Sequence, residues 1–140
     1  MDDEFLFQRR QMVEDQLVRR GIKEPRVLKA MAEIPRHVFV PADDLAWAYK
    51  DGPLPIGDGQ TISQPYIVAL MTELVQAHVC DLVLDVGTGS GYQAAVLAEL
   101  AGQVHTVEII PELFMRAQGT LMGLGYKNIH FHLADGSLGW

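Results

Sequence analysis

Asp85-Val86-Gly87-Thr88-Gly89-Ser90-Gly91 is the stretch that decides how this chain folds. It follows Leu82-Val83-Leu84-Asp85-Val86, a short apolar run of strand type. It precedes a helical pattern through Ala94, Val96, Leu97 and Leu100 that stops at Gly102. Glycines between a strand and a helix let the backbone turn sharply and let a ligand approach main-chain atoms that a Cβ would screen. Downstream, Val104 to Ile109 reads as a second strand, and Pro111 opens a helix with Leu113, Phe114, Ala117 and Leu121 inside. Asn128 to Ala134 reads as a third strand. Strand and helix in alternation predict an α/β fold, an open parallel sheet with right-handed crossovers.

The spacing of the glycines narrows the ligand. Gly91 follows Gly89 by two residues, where a dinucleotide fingerprint leaves three, so pyrophosphate is not favoured. Glu108 stands at the end of the second strand, 21 residues past Gly87, where such folds use an acid to accept ribose hydroxyls. Asp135-Gly136 ends the third strand at the same edge. An acid, a glycine turn and two further acidic strand ends describe a nucleoside site, and S-adenosylmethionine fits it, having an adenosine, no phosphate and a cationic sulfonium. Asp85 would lie near the ammonium of the methionine moiety; its alternative is a turn residue bonding local amides.

Toward the N-terminus, Phe5, Leu6, Val13, Leu17 and Val18 share one helical side, and Gly21 offers a left-handed stop. A second helix follows Pro25, with Val27, Leu28 and Met31 buried and Pro35 ending it. Val38 to Ser63, rich in proline and glycine, predicts an extended loop with little regular structure, a kind of segment more often functional than idle. Ser63 can cap a third helix carrying Pro65 in its first turn and a stripe of Ile67, Leu70, Met71, Leu74 and Val75. No internal repeat or low-complexity tract interrupts the 140 residues.

Composition excludes several classes. The formal net charge is -7, with one cysteine, Cys80, so no intramolecular disulfide is possible and a reducing compartment is expected. The acidic start Met1-Asp2-Asp3-Glu4 is unlike a secretory signal, and no apolar run approaches the ~18 residues of a membrane span. A cytoplasmic protein with no membrane partner is expected. Residues 1–36 carry 8 basic and 7 acidic residues, a net +1, and the remainder carries -8. The bases alternate with acids, as in Arg9-Arg10, Glu14-Asp15 and Arg19-Arg20, which favours a solvated helix face over nucleic-acid binding. His130 and His132 share a strand face, but two ligands without a third do not make a metal site. Cys80 reads as a small buried hydrophobe, and Trp47 and Tyr49 as packing beneath the long loop.

The segments Arg19-Arg20-Gly21-Ile22, Ile34-Pro35-Arg36-His37-Val38-Phe39-Val40-Pro41 and Tyr49-Lys50-Asp51 resemble the protein-L-isoaspartate O-methyltransferases. More specific is Pro53-Leu54-Pro55-Ile56-Gly57-Asp58-Gly59-Gln60-Thr61-Ile62-Ser63-Gln64-Pro65, which is similar to that family's hallmark loop. The resemblance continues through Gly91-Tyr92-Gln93-Ala94-Ala95, Val107-Glu108 and Gly125-Tyr126 to Asp135-Gly136. It implies a Rossmann-like methyltransferase fold using S-adenosylmethionine, with residues 1–62 forming N-terminal helices and the substrate and cofactor loop, and 63–140 the first half of the methyltransferase domain. The implied reaction is methyl transfer to the free α-carboxylate of L-isoaspartyl residues in aged proteins, whose ester then closes to a succinimide and reopens partly to aspartate. By the same resemblance Ser63 is the active-site serine, and Gln60, Thr61 and Ile62 line the cofactor and peptide side of the cleft. Gly87, Thr88, Gly89 and Gly91 form the cofactor turn. Ser63 is cast as orienting the acceptor, since nothing near it in sequence supplies a base; a helix N-cap is an equal reading on local pattern.

The chain stops just after the third strand, whereas a sheet of this type places its first strand centrally. The expectation is a truncated or N-terminal fragment with Leu82 to Val86 as an unpaired apolar edge, a route to self-association. Two other functions stay open: a related methyltransferase with another acceptor, and a remnant that binds cofactor or only associates with itself.

Overall fold

The computed structural model describes residues 3–140. Helix α1 (Asp3–Met12) runs into a π-helical turn at Val13–Leu17 and a 3-10 turn at Val18–Arg20, which Gly21 ends at φ 96°. Met12 and Leu17 are buried while Val18 is exposed, against the expected stripe. The wider π turn rotates the helix face past the 3.6-residue phase from which Val18 was placed inside. Helix α2 (Pro25–Glu33) begins at Pro25 as expected and buries Val27, Ala30 and Met31. Short 3-10 turns occupy Arg36–Phe39 and Ala42–Trp47.

The segment expected to be irregular contains an antiparallel hairpin, β1 (Leu54–Gly57) and β2 (Gln60–Ile62), paired Leu54 with Ile62 and Pro55 with Thr61. Its prolines and glycines hid it. Pro55 faces its partner without breaking the short ladder, and Gly57-Asp58-Gly59 supply three successive positive φ angles for the turn. Tyr49 is buried near this segment, but Trp47 is exposed.

Helix α3 (Pro65–Val75) leads to β3 (Leu82–Val86), α4 (Tyr92–Leu100), β4 (Gln103–Glu108), α5 (Pro111–Gly123) and β5 (Ile129–Leu133). The three strands form one parallel sheet in the order β3-β4-β5, in register from Leu82 with Gln103 and from Val104 with Ile129. Val104, Thr106 and Glu108 alternate into the layer under α4 and α5. Gly91 sits at the head of α4 at φ 93°, and a Cβ there would come within 3.0 Å of Leu121 on α5, so the absence of a side chain lets the two helices close. The core is continuous from Met12 through Ile62 to Ile129, so the N-terminal helices and the sheet share one apolar interior.

Among the described residues β3 pairs with β4 alone, so Leu82 to Val86 form a sheet edge and the outer sheet face is open. Leu82 is 70% exposed, and Leu84 and Val86 are also exposed. Two other expectations fail. Of the stripe on α3, Ile67, Met71, Leu74 and Val75 are exposed and Leu70 half-buried, while Val68, Ala69 and Thr72 pack inward. This helix is apolar nearly all round, so its period does not specify which side meets the core. Cys80 is exposed, because it lies in the turn before β3 rather than in the strand. Among the described residues no helix is long and apolar enough to cross a membrane.

Candidate functional site

The C-terminal end of β2 meets the glycine turn after β3. Thr61, Ile62 and Ser63 line one wall of a cleft whose other wall is Gly87, Thr88, Gly89, Ser90, Tyr92 and Gln93, with Val68 beneath. The strand-to-helix turn brings its glycines up to the hairpin because β3 ends where α4 must reverse over the sheet, and Gly89 lies against the Ile56 side chain. The cleft itself is small, about 70 Å³. A larger cavity of about 390 Å³ lies between the hairpin, residues 38–41 and α5, sharing Ser90 with it. Arg116 lines that cavity with its guanidinium donating to the Ile56 carbonyl at 2.6 Å.

Four of the five amides from Gly87 to Gly91 are already used. Gly87 and Thr88 donate to the Val107 carbonyl at 2.8 and 3.1 Å, Gly91 donates to the Thr88 carbonyl, and Gly89 donates to Glu108 Oε1 at 2.8 Å. A phosphate cradle needs such donors free, so the turn is not built for phosphate. Glu108 is buried, and its second oxygen accepts the Ile110 amide at 3.0 Å, so the carboxylate braces the loop while keeping further acceptor positions.

Asp85 projects from β3 beneath the turn. Its Oδ2 accepts the Thr106 hydroxyl at 2.8 Å, and Thr106 also pairs with the Thr88 hydroxyl at 2.6 Å. Burial pushes the Asp85 carboxyl up to about 6, against the Thr106 hydrogen bond and with the Glu108 charge adding to the rise. Among the described residues Asp85 accepts from the Thr106 hydroxyl and from no local amide, unlike the turn-residue alternative.

Other expected residues are placed differently. Asp135 is exposed and caps the short turn Gly136–Leu138 by accepting the Ser137 amide at 3.0 Å; the Ser137 side chain, then that amide, holds its carboxyl below the ordinary range. It stands at the same sheet edge as Glu108, with the Ala134 amide donating to the Glu108 carbonyl, but not on the cleft wall. Gly136 is required there because a Cβ would come within 2.5 Å of the Val86 side chain. Gln60 is exposed at the start of β2 and also lies off the wall. Ser63 is not the cap of α3; Gln64 holds that position, with no side-chain cap, because Pro65 occupies the first helical turn. The Ser63 hydroxyl is left exposed and has no hydrogen-bond partner among the described residues.

The residues around Ser63 were not foreseen. Arg36 is completely buried and donates to the Ala48 carbonyl at 2.7 Å and to the Ser63 carbonyl at 2.9 Å. Gln64 donates to Asp51 at 2.7 Å, and Asp51 is also paired with Arg20. The Arg20 hydrogen bond, then that of Gln64, draws the Asp51 carboxyl down to about 2. Arg9 is buried against the Ala32 carbonyl and Tyr49 hydroxyl, contrary to a solvated face, whereas Arg19 and Arg20 do pair on the surface with Asp15 and Asp51. The burial of Arg9 and Arg36 has no local signal, since their partners are 12 to 40 residues away in sequence.

His130 and His132 do gain a neighbour, His105, whose Nδ1 lies 2.8 Å from His132 Nε2. Among the described residues no group of three or more His, Cys, Asp or Glu side chains is arranged to hold a metal ion. The imidazoles are instead stacked or hydrogen-bonded, with Trp140 lying on His132.

A family model described as Protein-L-isoaspartate(D-aspartate) O-methyltransferase matches residues 8–140. The chain is 58% identical over 138 residues to Protein-L-isoaspartate O-methyltransferase of Synechococcus sp. (strain JA-2-3B'a(2-13)), covering 99% of this chain and 57% of that one. It is 58% identical over 132 residues to Protein-L-isoaspartate O-methyltransferase 1 of Syntrophobacter fumaroxidans, covering 94% and 62%. The chain thus spans about three-fifths of the length of these relatives. A solved protein-L-isoaspartate O-methyltransferase superposes with TM-score 0.82 at 31% identity over 91% of this chain and 42% of that one. A Plasmodium falciparum structure in complex with S-adenosyl-L-homocysteine shares the fold at TM-score 0.73 and 24% identity, over 88% and 61%. The parallel α/β architecture is therefore that of the S-adenosylmethionine-dependent methyltransferases.

Proposed function

The chain belongs to the protein-L-isoaspartate(D-aspartate) O-methyltransferase family, and from that premise we propose that it serves methyl transfer from S-adenosylmethionine to the free α-carboxylate of L-isoaspartyl residues in damaged proteins. The observation that carries this reading is the meeting of Thr61-Ile62-Ser63 with Gly87-Thr88-Gly89 in one cleft, with an unpartnered serine hydroxyl at its mouth. In this reading residues 1–62 build the N-terminal helices and the substrate and cofactor loop, and 63–140 the first half of the methyltransferase domain. The acceptors are isoaspartyl peptides and proteins rather than nucleic acid, which agrees with Arg9 and Arg36 being buried and Arg19, Arg20 and Arg26 being paired with acids. A free Cys80 fits work in the cytoplasm.

The residues suit this cofactor chemically. Asp85 is a largely buried acid without a cationic partner among the described residues, and an ammonium would relieve the burial that now favours its protonated form. Glu108 keeps acceptor positions toward the crevice for ribose hydroxyls, and the occupied turn amides disfavour a phosphate competitor. Gly87 carries no Cβ and has open space where one would lie, so a ligand can reach the main chain. Gly91 acts by closing α4 on α5, and Asp135 with Gly136 shape the crevice edge.

When bound, S-adenosylmethionine supplies a methyl group on a cationic sulfur. The acceptor is ionised at neutral pH, so no general base is required of the chain. Ser63 directs a hydroxyl to the acceptor carboxylate, and Thr61 presents the edge of a short hairpin to an extended peptide. Ile62, Val68 and Tyr92 give the cleft a dry floor, which strips water from the attacking oxygen. Alignment and desolvation are thus the chain's main contributions.

The test is transfer of radiolabelled methyl to an isoaspartyl peptide and to its aspartyl counterpart. Base-labile label on the first alone is expected; equal labelling of both overturns the acceptor, and label on neither overturns activity of this chain. Replacing Ser63→Ala is expected to lower transfer by about tenfold or more, in line with loss of one orienting hydrogen bond.

A further inference from the structure

Arg36 is 0% exposed, and its charge has no carboxylate partner among the described residues. Nε and Nη2 are spent on the carbonyls of Ala48 and Ser63, the guanidinium lies 4.8 Å over the Tyr92 ring, and Nη1 has no hydrogen-bond partner among the described residues. Burial of a full charge without a counter-charge is strongly unfavourable, and arginine does not escape by losing its proton as a buried carboxylate escapes by gaining one. A second guanidinium, Arg9, is buried nearby, bonded to the Tyr49 hydroxyl and likewise without an acid. The interior behind Ser63 is therefore positive, whereas the sheet ends opposite it carry Asp85 and Glu108.

That division matches the charges of the two proposed reactants. A cationic cofactor belongs beside the acids, and an anionic acceptor beside the arginine. Through the Ser63 carbonyl Arg36 also fixes the peptide plane that carries the serine, while the next residue, Gln64, is tied to Asp51. We infer that Arg36 is a positioning residue for the acceptor subsite: it fixes Ser63 from behind, and its uncompensated charge makes the subsite favour a carboxylate over a neutral acceptor. The inference rests on the acceptor proposed above and adds a specificity determinant to it. Once methylated the acceptor is neutral, so the attraction that seats the substrate is absent for the ester, and product release is favoured.

The experiment titrates the 140-residue chain, with S-adenosylhomocysteine present, against three peptides: the isoaspartyl peptide, its α-carboxamide and the aspartyl control. The unaltered chain is expected to bind the free carboxylate about tenfold more tightly than the carboxamide, the size of a charge acting across several ångströms of partly screened medium. Arg36→Met is expected to bring that ratio within about twofold, and Arg36→Lys to restore part of it, which a purely structural role would not do. Because the Met variant can lose its fold, the Nε–H resonance of Arg36 in the unaltered chain gives a second readout. It is expected to shift with the carboxylate peptide and not with the carboxamide. An undiminished carboxylate preference in a folded Arg36→Met chain overturns the inference, as does an Nε–H resonance that stays in place while the carboxylate peptide binds. Equal affinity for the isoaspartyl and aspartyl peptides overturns the acceptor reading instead, and binding of no peptide overturns both.

Discussion

The molecule buries charge in two places and treats it differently in each. At the sheet ends Glu108 is satisfied by two backbone amides, and Asp85 relieves its burial by holding a proton up to about pH 6. Behind Ser63, Arg36 is bonded to two carbonyls and has no comparable release; burial pushes its pKa down, but a guanidinium stays charged at any pH at which the protein folds. The acidic side is thus tunable by pH, and the basic side is permanent. A cofactor that comes and goes suits the first, and an acceptor that must be recognised as an anion suits the second.

The strongest challenge to this contrast is removal of the permanent charge. Arg36→Ala leaves the carbonyls of Ala48 and Ser63 without their donor and opens a cavity beside Tyr92, so a loss of about 3 kcal/mol in urea unfolding is expected. A gain in stability would mean that the bare charge outweighs its hydrogen bonds.

On the acidic side the sign is opposite. The folded Asp85 carboxyl lies above its ordinary value, so its contribution is fully favourable below about pH 4 and is lost as pH rises through about 6. Asp85→Asn is therefore expected to raise stability at pH 7 by about 1–2 kcal/mol while weakening S-adenosylhomocysteine binding at least tenfold. In the unaltered chain that binding is expected to fall as pH drops through about 6, and a flat calorimetric profile would remove Asp85 from the ammonium site.

A smaller effect sharpens the cause. Thr106→Val deletes the hydroxyl bonded to both Asp85 and Thr88, and is expected to cost about 1 kcal/mol and to raise the Asp85 carboxyl further in a carbon-detected titration. The least change is expected on the outer sheet face. Burial, then the neighbouring His105 and His130, holds His132 below the ordinary histidine value, so its contribution is full above that value and fades as pH falls below it. Replacing His132→Asn is expected to flatten the acid side of a thermal-melt profile slightly, and a His132 resonance titrating above its ordinary value would contradict the packing around it.

Much of this was legible in the chain, for identifiable reasons. The strands and helices after residue 80 follow from alternating apolar patterns, and the glycine turn follows from backbone requirements that are local. Where one pattern fits two orientations, legibility ended. Helix α3 is apolar on several sides, so its inner face is decided by α2 and α4, which take Val68, Ala69 and Thr72 rather than Met71 and Leu74. Val18 left its expected side because one π-helical turn intervened. Ser63 looked like a helix cap, and Pro65 moved the cap to Gln64.

The sequence by itself determined the α/β order, the position of the turn at Gly87 to Gly91, the acids at the strand ends and the family of the Thr61 to Pro65 string. Each rests on neighbours within a few residues or on identity of side chains. Only the tertiary structure decided that Asp85 holds its proton toward neutral pH, that Asp135 caps a turn off the cleft wall, and that Arg36 stands uncompensated behind Ser63. These depend on which groups a distant segment brings into a low-dielectric interior. Burial and long-range hydrogen bonding, not residue type, set the energy of a charge.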